Sequence, residues 1–461
     1  MPRPHESNAS PAAARALSAF VFYALLALLP LAAAPYGSVE PWWTGLFDAV
    51  VFVLAALWAV EGALAGRWLT RAHALALPWV ALAALAFLQS VQLPFVGRIS
   101  FDPYESRVFA LRLLAVTLYA AMLLRYASAG RRLRALVVTV VCVGVASALF
   151  GIFRQASQRE QLGFVLPLLQ KGEGYAQFVS RNHFAYLAEM ALGLAAGLMV
   201  GRGVARGKML LCAAAAVPLW TALVLSNSRG GVFAMLCEVL FLAAAFGMTW
   251  DVAREGRGVD SLAARFGRSR AARVVLAASL LVAVVVGTVW VGGDPLAERM
   301  GAVGEEVGAA DSVRAGRAGI WADTWRLAAE HPLAGVGLGG YWIAIRTTHG
   351  GSGVMIPRQA HNDYLELFAS AGVPGLLLLA AFLFLFARRA RVRLREGTGF
   401  TRAVCLGALA GLFGVAAHSL VDFGLHVTAN AFVCAALVAL AAAEVEAGAP
   451  EGVQKTSHRE Y

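Results

Sequence analysis

Charge is scarce in this chain. Asp, Glu, Lys and Arg supply 15% of its 461 residues, against about a quarter in an average soluble domain. That deficit argues against an ordinary water-soluble fold. Acidic residues are the scarcer sign, 28 against 39 Lys and Arg, for a formal charge of +11. A basic balance can mark a nucleic-acid partner, but cytoplasmic loops of membrane proteins collect Lys and Arg anyway, so no nucleic acid is expected. Cysteine is rare as well. Cys142, Cys212, Cys237, Cys405 and Cys434 all fall in apolar segments, without CxxC spacing or a neighbouring His, which speaks against a disulfide framework and a zinc site. No Walker motif, DxD pair or GxSxG elbow stands out. With no energy-coupling module, and with no metal or cofactor expected, the substrate should arrive already activated, carrying a good leaving group.

What the chain does have is apolar sequence: 59% hydrophobic residues and a mean hydropathy of +0.67. Windows of roughly 17–22 apolar residues fall near 16–35, 43–64, 73–91, 108–124, 135–153, 183–200, 209–225, 231–249, 274–292, 373–387, 403–420 and 427–446. Each approaches the ~20 residues needed to cross ~30 Å of hydrocarbon. The expected fold is an all-α polytopic membrane protein of about 12 transmembrane helices with a large loop on one side. The first run ends in Ala32-Ala33-Ala34, a faint imitation of a cleavage site. It is long for a signal sequence and Pro35 follows directly, so it reads as a retained helix. Helices 1–9 occupy 1–292, the large loop 293–372, helices 10–12 residues 373–446, and a tail 447–461.

Alternating the loops between two sides places about 25 of the 39 Lys and Arg on one side, which the positive-inside rule makes cytoplasmic. Both termini fall there. The other side receives the loop 92–107, the connection 156–182 and the segment from about 293 to 372. Within the last, Ile320, Trp321, Thr324, Trp325 and Ala328 recur at helical spacing, so an amphipathic helix should lie along the interface. His331-Pro332 should end it. The glycines of GVGLGG lack the strand–turn–helix context of a phosphate loop and read as turn geometry.

Three arginines on the outer side sit where helices begin: Arg181 in SRNHFAYL, Arg229 in SNSRGGVF and Arg317 in RAGRAGIW. Ser180, Asn182, Ser226, Asn227, Ser228 and Gly316 beside them suit helix N-termini. Such ends present unpaired N–H groups and a positive dipole, and Arg adds a planar fork of donors. Together they suit phosphate or pyrophosphate; the plainer alternative is that each arginine snorkels to lipid headgroups. A second constellation is RQAHNDYLELFASAGVPG. In it His361 can take a proton near neutral pH, with Asp363 and Glu366 as alternative bases, or it can simply cap a helix. His183, His331, His418 and His426 read as structural.

The segments SRNHFA, SNSRGG, PLAGVGLGGYW and HNDYLELFASAGVPG, in this order, resemble the O-antigen ligase and Wzy-type O-antigen polymerase family. The ligase pattern H-[NSQ]-x9-G-x-x-G is met by His361, Asn362, Gly372 and Gly375. The resemblance implies a bacterial inner-membrane glycosyltransferase with a GT-C-like helical fold, acting at the periplasmic face without nucleotide sugar or metal. It implies that Arg181, Arg229 and Arg317 bind the pyrophosphate of an undecaprenyl-pyrophosphate-linked glycan. His361 would activate the acceptor hydroxyl, with Asn182, Asn362, Asp363, Gly372 and Gly375 in support. The partners implied are that donor, an acceptor glycolipid and a chain-length regulator. A second undecaprenyl-linked repeat unit as acceptor makes a polymerase of O-antigen, capsule or exopolysaccharide; lipid A-core makes a ligase. Polymerase-like relatives also carry HNDYL, which tilts the expectation toward polymerase. A non-enzymatic transporter of lipid-linked glycans would instead need polar residues along mid-membrane spans.

Overall fold

A computed structural model describes residues 10–66, 69–94, 97–128, 130–157, 174–252, 317–348 and 357–444. Among these residues the chain is helical and contains no β-strand. The long helices, in order, are α1 (Ser10–Ala33), α2 (Pro41–Ala65), α3 (Leu77–Ser90), α4 (Pro103–Tyr126), α5 (Gly130–Ser157), α6 (Arg181–Val200), α7 (Arg206–Leu225) and α8 (Arg229–Val252). After them come α9 (Arg317–Glu330), the single turn α10 (Tyr341–Ala344), α11 (Asp363–Glu396), α12 (Gly399–His418) and α13 (Thr428–Ala442). Nine helices among the described residues are long and apolar enough to cross a membrane, so the chain is a multi-pass membrane protein. Eleven of the expected windows coincide with helices, and the ninth, 274–292, lies outside the described residues. The twelfth is shorter than its window: α13 has 15 residues, or about 22 Å at 1.5 Å per residue. It is buried along most of its length by its neighbours.

Without water to drive apolar faces together, helices in lipid associate by close backbone approach at small residues. Here that approach is made by α6 and α12. Gly193 and Gly197, one turn apart on α6, lie against Gly411 and Gly407 on α12. A Cβ built on Gly193 would sit 2.5 Å from the Gly411 nitrogen, and one on Gly197 would collide with the Gly407 Cα. Helix α6 is thereby held at the centre of the bundle, buried on almost every side. Its N-terminus and the C-terminus of α12 are brought to the same end of the molecule.

That end also gathers the described parts of the three segments assigned to the outer side. Gln89, at the end of α3, donates to the carbonyls of Ala334 (2.7 Å) and Ser370 (3.0 Å) and accepts from the Leu338 N–H (3.0 Å). The Phe101 N–H bonds Val336, and the N–H groups of Val336 and Gly337 bond Ala369 and Ser370. Arg154, at the end of α5, donates to the Ala176 carbonyl at 3.0 Å. In the GVGLGG turn Gly335, Gly337 and Gly339 all have φ between +65° and +97°, conformations open to glycine at little cost. Cations and their partners collect at the opposite end: Arg125 pairs with Glu61 at 2.9 Å, and Arg393 donates to the Ala443 carbonyl.

The tenth window departs from expectation. Helix α11 begins at Asp363, ten residues before the expected span, and runs for 34 residues through a break at Gly372 (φ +61°, ψ −158°). A side chain there would press on the carbonyls of Pro332 and Leu333. Gly372 therefore joins a piece that packs in the outer layer to the piece that spans, and Gly375 lies against Ala371 one turn later. Helix α9 matches its expected position and ends at Glu330. Ile320, Thr324, Leu327 and Ala328 are buried, Trp321 donates to the Ala360 carbonyl at 3.0 Å, and the Thr324 hydroxyl meets that of Tyr341 at 2.6 Å.

Two outcomes test this architecture. Replacing Gly197 by Val should cost about 3 kcal/mol, the upper end for overpacking, because its neighbour is backbone that cannot rotate away. Thermal unfolding in detergent should show a clearly lowered midpoint. In a cysteine-free background, Glu330→Cys should react with an impermeant thiol reagent in sealed spheroplasts, and Thr398→Cys only after lysis. Equal labelling of both before lysis would contradict the sidedness.

Candidate functional site

Three helix N-termini converge at the outer end. Ser180 caps α6, its hydroxyl accepting the Asn182 N–H at 3.3 Å, and Arg181 is the first helical residue. Ser228 plays the same part for α8, accepting the Gly231 N–H at 3.1 Å, with Arg229 first in the helix. Such caps satisfy some of the unpaired donors of the first turn and leave the others to a ligand. The two ends are joined directly, since the Ser228 hydroxyl donates to the Asn182 side-chain oxygen at 2.8 Å. Arg317 opens α9. A pocket of about 310 Å³ lies between them, lined by Val179, Ser180, Arg181, Asn182, Asn227, Arg229, Gly230 and Arg317. The three arginines expected to share a site thus line one cavity, although 136 positions separate the first from the last.

Beneath this pocket lies a residue that the sequence reading did not select. Asp422, in the short connection between α12 and α13, has a side chain only 3% exposed. Its carboxylate accepts from the Asn182 amide, pairs with Arg317 at 3.5 Å and accepts from His361 Nδ1 at 3.3 Å. The Phe423 N–H adds a fourth donor at 2.9 Å. Burial alone would raise the Asp422 carboxyl. The His361 hydrogen bond and the Arg317 charge outweigh it and hold the group below the usual carboxylate range, so it is an anion at neutral pH. The available signal was weak: one acid in HSLVDFGLH, in a connection too short to show any periodicity.

His361 sits in the turn before α11 with φ +52°, a left-handed conformation costing a non-glycine residue of order 1 kcal/mol or more. Its surroundings hold it there. The next residue, Asn362, caps α11 by accepting the N–H groups of Tyr364 (3.1 Å) and Leu365 (3.0 Å). The Asp363 N–H bonds the Ser419 carbonyl at 2.9 Å, and the imidazole packs edge-on to Phe423. With Nδ1 committed to Asp422, Nε2 remains for a ligand, and the side chain is one-third exposed.

The alternative bases are otherwise engaged. Glu366 accepts the Ala360 N–H at 2.7 Å and closes the turn that carries His361. Asp363 faces His426 Nε2 at 3.5 Å. Burial would lower the His426 pKa, but the carboxylates of Asp363 and Glu366 raise it. Of the other histidines considered above, His183 and His418 are buried and His331 is half-buried. His183 lies against Phe423, His331 against Phe101, and His418 donates to Glu189 at 3.0 Å while stacking on Tyr186.

Ionisable side chains also occur within the spans. Glu189 and Glu238 are buried within helices, and Arg112 is half-buried on α4 with Asp48 near it. By helical rise, all four lie within about 14 Å of their helices' outer ends. Glu189 and Glu238 are enclosed between helices, and Arg112 donates to the His426 carbonyl and to the Thr428 hydroxyl (3.4 Å). That bond ties α4 to the turn that follows Asp422.

Residues 214–380 match a family model described as O-antigen ligase. The matched segment is just over a third of the chain; it takes in Arg229, Arg317, His361, Asn362, Gly372 and Gly375 and leaves Arg181 and Asp422 outside. No curated protein matches the chain. Over that segment the chain is similar to the O-antigen ligase family, the same family its sequence motifs resemble, and two of the three pocket arginines and the partly exposed histidine fall within it.

Proposed function

We propose that this protein transfers a glycan from undecaprenyl pyrophosphate to an acceptor hydroxyl at the periplasmic face of the bacterial inner membrane. The observation that carries the reading is the union of two features at one membrane-facing end: an arginine-lined pocket at three helix N-termini, and an acid-oriented histidine linked to it through Asp422. In the reaction the acceptor oxygen bonds to the anomeric carbon as the bond from that carbon to the phosphate oxygen breaks. The leaving pyrophosphate carries away the electron pair. Arg181, Arg229 and Arg317 meet the charge that develops on it, which is the kind of fixed electrostatic stabilisation that speeds group transfer. Each charge-assisted hydrogen bond supplies ~1.5–3 kcal/mol. His361 Nε2 takes the acceptor's proton, and Asp422 holds the ring in the tautomer that leaves Nε2 free and stabilises the imidazolium that forms, the division of labour of acid–histidine pairs in other enzymes.

As acceptor we favour another undecaprenyl-linked repeat unit, which makes the protein a polymerase of O-antigen, capsular or exopolysaccharide chains and a candidate partner of a chain-length regulator. The ligase reading, with lipid A-core as acceptor, is supported by the His361-Asn362…Gly372…Gly375 pattern and by the family description. Extracts of a deletion strain separate the two. Lipid-linked single repeats accumulating without longer chains indicate a polymerase; full-length lipid-linked chains that never reach lipid A-core indicate a ligase.

Arg181→Lys and Arg229→Lys keep the charge but lose the bidentate fork. Each should lower glycan transfer by tenfold or more at matched protein level, whereas arginines that only snorkel would tolerate lysine. Full activity in both variants would remove them from the site.

His361→Ala should lose roughly 10²–10⁴-fold in transfer rate, the range for removal of a general base, with donor binding little changed. Asp422→Asn keeps the shape but removes the anion facing the arginines. Its transfer rate should fall by roughly 10²-fold or more, while donor binding holds or tightens because the pocket becomes more positive. Rates per folded molecule within a few-fold of wild type for both variants would exclude the pair as the proton-accepting unit.

A further inference from the structure

The end of the bundle opposite the arginine pocket holds a second cavity that the transfer reaction does not use. It has a volume of about 420 Å³ and opens between α5 and α7 over the last turn of α6. Its walls are apolar, formed by residues such as Val137, Val141, Leu198 and Ala215, and its mouth carries Arg134 and Lys208. Val138 and Leu211 on the rim are 57% and 67% exposed, so the groove faces the hydrocarbon around the protein. Arg134 is positioned at the mouth, with its guanidinium 5.6 Å from the centre of the Phe400 ring, and Phe400 lines the same cavity. Lys208 lies in the first turn of α7. The residue before that helix, Ala205, also lines the groove and offers no side-chain acceptor to the first-turn N–H groups.

An apolar slot with two cations and an uncapped helix N-terminus at its mouth has the chemistry of an anionic lipid site. We propose that the groove binds an anionic diacyl phospholipid, with one acyl chain along the α5–α7 wall and the headgroup phosphate between Arg134, Lys208 and the start of α7. Basic pockets between spanning helices at a cytoplasmic surface recognise anionic headgroups in this way, and helix N-termini favour phosphate. The polyprenyl donor is not the occupant, because its pyrophosphate is assigned to the other end of the bundle. That exclusion rests on the glycan-transfer reading; the groove's lining and the phospholipid measurement below do not.

Cys142 lines the groove and is exposed, whereas Cys405 is buried elsewhere. This supplies a direct measurement with the full-length protein in nanodiscs. The rate of Cys142 alkylation by N-ethylmaleimide is followed by peptide mass spectrometry, with unreacted Cys405 reporting the folded state. Nanodiscs containing dioleoyl phosphatidylglycerol should slow the reaction by roughly tenfold relative to pure dioleoyl phosphatidylcholine, as expected for two basic contacts to one headgroup. Glycerol phosphate added to phosphatidylcholine discs should give no protection, since it lacks the chains. The phosphatidylglycerol effect should shrink to within about twofold in Arg134→Ala/Lys208→Ala and return in Arg134→Lys/Lys208→Arg. Equal protection of the wild type by both lipids overturns the proposal without recourse to any variant. So does protection by glycerol phosphate alone, or undiminished protection in a folded double-alanine variant.

Discussion

The outer end of this protein depends on one buried carboxylate. Asp422 draws the Asn182 amide from α6, the Arg317 guanidinium from α9 and the His361 imidazole from the turn before α11 onto a single group that is nearly inaccessible to water. An anion in such a place is costly unless its charge is paired and its lone pairs are filled. The four donors around it meet that requirement, and in doing so they fix where three separate chain segments must lie. Removing any one partner leaves the others facing an under-satisfied charge, which makes the cluster cooperative.

The membrane sets the terms for the rest. Spanning backbone must satisfy its own hydrogen bonds, so the chain inside the bilayer is helical, and the ends of helices become the natural places for polar chemistry. The ends of α6, α8 and α9 supply N–H groups and dipoles, and the arginines at their first positions add full charges to the same locations. The close approach of α6 to α12 at Gly193, Gly197, Gly407 and Gly411 places the Arg181 end of α6 beside the end of α12 that leads into Asp422. Packing in the middle of the membrane thereby sets the geometry of the site at its surface. The break at Gly372 has a related role: it lets one helix both anchor His361 in the outer layer and continue across the bundle.

Two ionisable groups inside the spans, Arg112 and His418, are also held by partners. Arg112 ties α4 to the turn carrying His426 and Thr428, and His418 is locked to Glu189 behind Gly230 of the arginine pocket, where a Cβ would come within 2.5 Å of its Nε2. Both contacts support the site from below.

The sequence by itself determined the all-α, multi-pass fold class and the approximate places of eleven apolar helices, and it picked out as candidates His361 and the three arginines, Arg181, Arg229 and Arg317, that line one cavity. Those signals are local: apolar run length, the sidedness of Lys and Arg, and the Ser, Asn and Gly residues that begin helices. Asp422 could not be read in the same way. Its importance comes from three partners at positions 182, 317 and 361, and nothing within a few residues of it in the chain announces them. The engagement of Asp363 with His426, and of Glu366 with the turn at Ala360, was hidden for the same reason. A carboxylate in a sequence is a candidate base until its surroundings are known, because burial and partners decide which proton it can take. Only the tertiary structure brought those partners together. It did so through packing at glycines whose effect depends on the helix opposite, which a single stretch of sequence does not specify.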